Sequence, residues 1–259
     1  MLRNFFERLI SEYVYRHENS MLERTERLIT ASVLHQHAFS EFKGCNTGKD
    51  VVLIGAGPSV KDFKPIPDCV YVGLNSACKL KNVNFDYLFA IDKVGIDKIY
   101  SEFASVPCVK FVGDQNRGAK YQIPESEIQK MGDVRRYITD VNIYGNSRCA
   151  LHLESQPLGN YNSVSLQAMQ FILYTNPRRI FLVGIDCSSL GHFDNSQGTA
   201  EELRKRVKDR DESLDEWAKI TIQAWKEIKE FADIYYPDTE IVSVNPVGLK
   251  GFFKDMYQE

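Results

Sequence analysis

A glycine-rich turn, Gly55-Ala56-Gly57-Pro58-Ser59, is the segment of this sequence whose residue types are best suited to chemistry. It directly follows residues 51–54, a continuous apolar run typical of a buried strand. Glycines let the backbone bend and approach a ligand, and a helix beginning after the turn would offer free N–H groups to an anion. The sequence therefore predicts a phosphate site here, with Ser59 capping the following helix.

Polar residues also follow the other predicted strands. Ligands of open parallel sheets bind outside the carboxyl ends of the strands, so side chains at these ends are expected to meet at one rim. The strand-end residues are Asn75, Ser76, Asp92, Asp114, Asp186 and Asn245.

Two further segments supply candidate groups for the same rim. Asn162 or Ser163 is a normal N-cap for the apolar helix that follows, and this helix N-terminus can also receive phosphate oxygens. His192 is the histidine that follows a predicted strand end most closely, and an imidazole can act as general base near neutral pH. The alternative for His192 is a loop residue without a chemical role.

Alternating strands and helices must position these residues. Short β-branched or aromatic runs predict strands, and apolar residues at helical spacing predict helices between and after them. The pattern predicts an α/β fold with a Rossmann-like, mostly parallel sheet flanked by helices. Strands are predicted at 51–54, 70–72, 87–91, 109–112, 180–183 and 241–244, and helices at 163–174, 214–235 and 247–256.

The N-terminal segment differs from the rest of the chain. Residues 1–43 carry apolar side chains at spacings of three and four, which predicts an amphipathic helical arm. Its six basic and six acidic residues balance, whereas helices on anionic lipid are usually basic. We expect the arm, residues 1–44, to pack on the main domain (45–259) or on a second copy as a homo-oligomer. Peripheral membrane contact is the alternative.

Composition narrows the class of protein. The chain has 259 residues and a formal net charge of −3, so a nucleic-acid partner is not expected. Its six cysteines form no C-x-x-C pair, which favours reduced thiols over disulfides or a metal site. Neither a signal peptide nor an apolar run of about 18 residues occurs, so a cytoplasmic location is expected, with contact at the inner membrane face left open.

The sequence resembles the bacterial sialyltransferases of glycosyltransferase family 42 over most of residues 50–253. That resemblance implies a metal-independent transfer of sialic acid from CMP-sialic acid to a cell-surface glycan, on a Rossmann-like sheet with a mobile lid at about 190–216. It implies that Gly55, Ala56 and Gly57 lie along the CMP phosphate and sugar, Asn75 near the nucleoside, and Asn162 and Ser163 at the phosphate. The similar segments are the glycine turn and residues 74–76, 162–164, 181–186 and 244–246.

The chain departs from that family at two positions. Ala56 stands where the family usually has Asn, and no histidine occurs after Phe193, where the family has its catalytic histidine. The predicted base is therefore His192 acting from the other end of the lid, or a carboxylate, Asp186 or Asp92, in its place.

A second resemblance leaves another activity open. The glycine turn, the Asn162-Ser163-Val164 helix entry and Asp186 are also similar to the domain of flagellin-glycosylating motility accessory factors and archaeal hydroxymethylpterin diphosphokinases. That resemblance implies a phosphotransferase in which Asp92 holds Mg²⁺ on a triphosphate. A non-catalytic nucleotide-binding partner protein is the third hypothesis.

Overall fold

All eight described strands belong to one parallel sheet. The computed structural model describes residues 2–91, 93–114, 123–140, 148–161, 163–187, 191–194, 201–202, 205 and 214–257. Within these residues the strand order is β5-β4-β3-β2-β1-β6-β7-β8. The strands are β1 Asp50–Ile54, β2 Cys69–Leu74, β3 Tyr87–Ala90, β4 Val109–Asp114, β5 Val134–Ile138, β6 Arg179–Val183, β7 Glu240–Val244 and β8 Lys254–Asp255.

Helices cover both faces of this sheet. A parallel connection has to cross from one end of the sheet to the other, and helices make most of these crossings. Single 3-10 turns follow α1, β1 and β2, at Ser40–Phe42, Pro58–Asp62 and Asn75–Lys79. The α-helices are α1 Leu2–Phe39, α2 Lys93–Asp97, α3 Tyr100–Ser105, α4 Glu125–Ile128, α5 Val164–Tyr174 and α6 Leu214–Tyr235.

Strand β1 lies at the centre of the sheet and is buried on both faces. Its side chains point alternately to the two faces, so Leu53 enters one hydrophobic core and its neighbours Val52 and Ile54 enter the other. This arrangement explains the continuous apolar run in its sequence. No described helix combines the length and apolar composition that crossing a bilayer requires.

The C-terminal end of α1 is part of the core. Phe39 stacks on Phe111 of β4 with 5.3 Å between ring centroids, and Phe171 of α5 packs against both rings. His35 is fully buried and bonds the backbone of β5 and of the 153–156 loop. The last turns of the segment predicted as an arm therefore anchor it to the sheet.

The predicted fold class is confirmed, with corrections at two elements. Strand β5 was missed because its sequence, Val134-Arg135-Arg136-Tyr137-Ile138, carries two charged residues and lies at the edge of the sheet. The predicted C-terminal helix at 247–256 is wrong. Gly251 adopts a φ of 80°, which ends regular structure, and Lys254–Asp255 then pairs with β7.

Candidate functional site

The glycine-rich turn lies where the strand order reverses. Strands β2 and β6 flank β1, so the connections leaving β1 and β6 go to opposite sides, and the crevice between them is the usual ligand site of such sheets. The two strands pair in register up to Ile54 and Val183. Beyond them, the Gly55 amide donates to Val183 O at 2.8 Å and the Gly57 amide to Gly184 O at 2.9 Å.

Close packing explains both glycines. A Cβ on Gly57 would lie 2.4 Å from Asp186 Cγ, and one on Gly55 would lie 2.4 Å from Gly184 O. No side chain fits at such distances, so each position requires glycine for the turn to rest on the end of β6.

The segment after the turn differs from the predicted helix. Pro58–Asp62 forms a single 3-10 turn, and the Ser59 amide donates to Asp186 Oδ2 at 3.0 Å while its hydroxyl donates to Asp186 Oδ1. The turn amides of Gly55, Gly57 and Ser59 thus have acceptors inside the protein. In the described part of the chain, Ala56 is the residue of the turn whose amide meets no acceptor.

A cleft of about 220 Å³ lies beyond the C-terminal ends of β1 and β6, at the switch point where the strand order reverses. Residues from five separate segments of the chain line it, as expected where strand ends and helix ends converge. They are Gly55, Ala56, Gly57, Leu74, Asn75, Ser163, Val164, Ser165, Gly184, Ile185, Asp186, Cys187, Gly191, His192, Ala218 and Thr221.

The N-terminus of α5 forms one wall of this cleft. Ser163 occupies the N-cap position, as predicted from the sequence, but its hydroxyl bonds the Ser165 hydroxyl at 2.7 Å and caps no amide. Since α5 is an eleven-residue helix, its first amides carry the positive end of the helix dipole into the cleft. This helix end, and not the glycine turn, offers most of the free N–H groups for an anion.

His192 lines the cleft directly before two anchors of its loop. The Phe193 amide donates to Ala56 O at 2.8 Å, and Asp194 pairs with Lys79 at 2.8 Å. Burial lowers the pKa of His192, opposed by Asp194 and assisted by Lys98. The ring is therefore neutral at pH 7, and within the described residues its buried Nδ1 meets no hydrogen-bond partner.

Asp186 is buried and serves to hold the glycine turn in place. Both of its carboxylate oxygens accept hydrogen bonds from Ser59, and its carbonyl accepts one from the Gly248 amide at 2.8 Å. Asp186 lines the cleft, but both of its carboxylate oxygens already accept hydrogen bonds from Ser59, which lies outside the lining. This geometry suits positioning better than proton transfer.

The other predicted residues have different placements. Asn75 lines the cleft in a left-handed conformation, with φ 48°, which asparagine tolerates. Ser76 is buried outside the cleft lining, and Pro58 and Ser59 lie outside that lining too. Asn162, Asp92 and most of the predicted lid lie outside the described residues, as does the side chain of Asp114.

Sequence reasoning missed the contribution of α6 and the thiol after β6. Thr221 of α6 lines the cleft. In the sequence, its hydroxyl interrupts the apolar face of that helix, and this feature could have indicated a functional role. Cys187 lines it with a φ of 43°, and burial raises the pKa of its thiol to about 12. A thiol with such a pKa stays protonated and is a poor nucleophile.

The charge of the cleft is low. Among the described lining residues there is no lysine or arginine, and one carboxylate, Asp186, is present. The described part of the chain also contains no cluster of three His, Cys, Asp or Glu side chains arranged to hold a metal ion.

Comparison with known proteins gives a distant likeness of fold. No family model matches the chain, and no curated protein matches it. Among solved structures, the chain is similar to the sialyltransferase CstII from Campylobacter jejuni, described in complex with the substrate analogue CMP-3FNeuAc. The two are 13% identical over 81% of this chain and 86% of that one, with a TM-score of 0.43. A likeness at this level carries no argument about activity.

Proposed function

We propose that this protein is a glycosyltransferase that takes a sialic-acid-like or related acidic sugar from a CMP-activated donor and passes it to a surface glycan. One observation carries the proposal. A neutral imidazole, that of His192, and the N-terminus of the buried helix α5 line the same small cleft, where the strand order of the parallel sheet reverses.

The proposed reaction is a direct displacement at the anomeric carbon. The acceptor hydroxyl oxygen attacks that carbon, and the bond from the carbon to the phosphate oxygen breaks with its electron pair leaving on CMP. The hydroxyl proton passes to the imidazole of His192, which can accept it because burial keeps the ring neutral. CMP departs as a stable anion.

The departing phosphate needs a positive environment at the moment of bond cleavage. The first amides of α5, together with the one hydroxyl proton that the Ser163–Ser165 hydrogen bond leaves free, supply donors on one wall of the cleft. The Ala56 amide, at the glycine turn, is a further donor among the lining residues. Donors already in place when charge develops stabilise the transition state more than the ground state.

The charge of the cleft favours this proposal over a triphosphate-dependent phosphotransferase. A phosphodiester donor brings one phosphate charge, which a helix N-terminus and a few amides can balance. A triphosphate brings several, and the described lining offers no lysine or arginine for them. The phosphotransferase proposal therefore depends on Asp92, which lies outside the described residues.

A donor screen tests the proposal. The protein is incubated with CMP-sialic acid, CMP-Kdo and UDP-sugars, and free nucleotide is measured with and without glycan acceptors. We expect CMP release from at least one CMP donor, with acceptor-dependent stimulation. Absence of CMP release from every CMP donor, together with release of AMP or ADP from ATP and Mg²⁺, would instead establish the phosphotransferase.

A matched pair of variants separates catalysis from binding. We expect His192→Asn to lose transfer while retaining CMP binding, and His152→Asn, an exposed histidine outside the cleft lining, to behave as the wild type. Full transfer by the His192 variant would remove that residue from the mechanism. Binding of CMP without any turnover in the wild type would point to the non-catalytic partner protein.

A further inference from the structure

The short segment that carries His192 is attached to the glycine turn by the residue that follows the imidazole. The Phe193 amide donates to Ala56 O at 2.8 Å, and the Phe193 ring packs against the hydrophobic core of which Ile54 is part. Gly191, directly before His192, adopts a φ of 79°, a left-handed conformation that glycine takes without strain. The position of the imidazole therefore depends on contacts made by the residues next to it.

Asp194 attaches the same segment to a second part of the site. Its Oδ2 accepts a hydrogen bond from Lys79 Nζ at 2.8 Å, and the side chains of Asp194 and Lys79 are only 11% and 24% exposed. Lys79 ends the 3-10 turn Asn75–Lys79, whose first residue lines the cleft. Removing one partner of a pair this far from water is costly, because the other charge stays buried.

Charges from several elements act on the imidazole of His192. Burial has the largest effect on its pKa and lowers it, Asp194 raises it, and Lys98, between α2 and α3, lowers it further. Lys79 bonds the carboxylate of Asp194, and Glu102 of α3 acts in turn on Lys79. The charge of Asp194 therefore reaches the imidazole together with that of its lysine partner.

Lys79 limits the effect of Asp194 on the proton affinity of the ring. A carboxylate beside an imidazole favours the protonated ring, which cannot act as a base. A lysine on the carboxylate oxygen offsets that effect and still leaves the carboxylate in place as an anchor. The carboxylate among the described lining residues, Asp186, has its oxygens engaged by Ser59.

We infer that Lys79 is a positioning residue for the proposed transfer. Its ion pair with Asp194 holds the His192 imidazole at the cleft and balances the carboxylate charge beside that ring. This inference rests on the proposed function, in which His192 is the base. Lys79 is not among the residues that line the cleft, so it acts through His192 and not on the substrate.

Titration of the His192 ring by NMR tests the inference in a measurement that does not require activity. Lys79→Met leaves the Asp194 carboxylate without the lysine charge, and we expect the pKa of His192 to rise by about 0.5 or more. Asp194→Asn removes the carboxylate, and we expect that pKa to fall by a similar amount. Loss of a merely structural contact would raise it in both variants, because a loosened segment exposes the ring. The ring signal is identified by its absence in His192→Asn.

Transfer assays with a CMP donor complete the test. We expect Lys79→Met to lower kcat about 10-fold or more at pH 6.5, with the KM for the donor little changed, because the imidazole is displaced and more often protonated. Lys79→Arg keeps the ion pair and should retain most of the wild-type activity. Lys81→Met is the matched control, since Lys81 is an exposed lysine outside the cleft lining, and it should behave as the wild type.

The two measurements separate failure of this inference from failure of the proposed function. A wild type that transfers no sugar from any CMP donor contradicts the proposed function, and the role of Lys79 at His192 is then judged by the titrations alone. Shifts of the His192 pKa in the same direction in both variants, or no shift in either, overturn the inference. So does an unchanged kcat in Lys79→Met. If Lys79→Met does not fold, Asp194→Asn, which keeps the shape of its side chain, decides by the direction of its shift.

Discussion

Two buried histidines show how surroundings determine the role of one residue type. His35 uses both ring nitrogens, since its Nδ1–H donates to the Leu153 and Gln156 carbonyls and its Nε2 accepts from the Ile138 amide. His192 lines a cleft, and its buried Nδ1 has no partner in the described part of the chain. The first holds α1 to the sheet, and the second is the base in the proposed transfer.

The pH dependence of transfer should report the low pKa of His192. Because burial lowers that pKa below its usual 6.5, the ring stays a competent base in mildly acidic solution. We expect kcat/KM to remain high down to pH 6.5 and to fall only below it, as measured in pH profiles with a CMP donor. His192→Asn should lower the rate by roughly 10²–10⁴-fold. If the residual activity of His192→Asn falls at the same low pH as the wild-type activity, the fall is caused by another titrating group.

Stability should fall in acid because of His35. Burial lowers its pKa to about 4 against 6.5 in an unfolded chain, and a second proton on Nε2 would face the Ile138 N–H. Between these values the unfolded state binds more protons, so the free energy of unfolding decreases as pH falls from 6.5 to 4, by about 3 kcal/mol in full. Urea unfolding across this range measures the slope.

The contribution of His35 is isolated by two variants on the same helix. His35→Gln should be less stable at neutral pH, but its stability should depend less on pH between 6.5 and 4. His37→Gln, at an exposed position, should keep the wild-type slope. An equal slope in all three proteins would mean that other groups cause the acid sensitivity.

The strands that could be predicted from the sequence are those buried on both faces of the sheet. Strands covered on both faces, such as β1 and β6, have continuous apolar sequences and were predicted from the sequence. Strand β5 lies at a sheet edge and contains two consecutive arginines, and β8 is two residues long, so neither gives such a signal. The glycine turn was predicted as an anion site, but its amides bond the end of β6, a contact between segments far apart in sequence.

Replacing Gly57 should disturb the turn through contact alone. Its φ of −63° suits any residue, but an alanine Cβ would overlap Asp186 Cγ and Gly184 O. We expect Gly57→Ala to cost about 1–3 kcal/mol of unfolding free energy and to weaken nucleotide binding, both measured by denaturation with and without CMP.

Gly132→Ala is the control for that substitution. Gly132 has open space around its Cβ position but a φ of 85° with a ψ of −134°, so alanine there should cost about 1–3 kcal/mol of backbone strain. It should leave CMP binding intact because Gly132 is not among the residues that line the cleft. If both variants bind CMP normally, the turn does not contribute to the nucleotide site.

For the whole molecule, the sheet order assembles the site from separate parts. Reversal between β1 and β6 brings residues from positions 55 to 221 around one cleft, which no local sequence pattern could specify. The sequence predicted which residues end strands. It could not predict that Ser59 would engage Asp186, or that α6 would contribute Thr221, because both depend on packing between distant segments.

Nucleotide binding should therefore stabilise the whole fold, since a ligand in this cleft binds only when the sheet is formed. At a CMP concentration about 100 times its Kd, the gain is about 2.7 kcal/mol, which corresponds to a rise in Tm of roughly 5–10 °C. We expect CMP to give this rise by differential scanning calorimetry equally with and without Mg²⁺, and ATP to give less, because the described lining lacks basic side chains for a triphosphate. A larger rise in Tm with ATP and Mg²⁺ than with CMP would contradict the CMP-dependent transferase and favour a phosphotransferase.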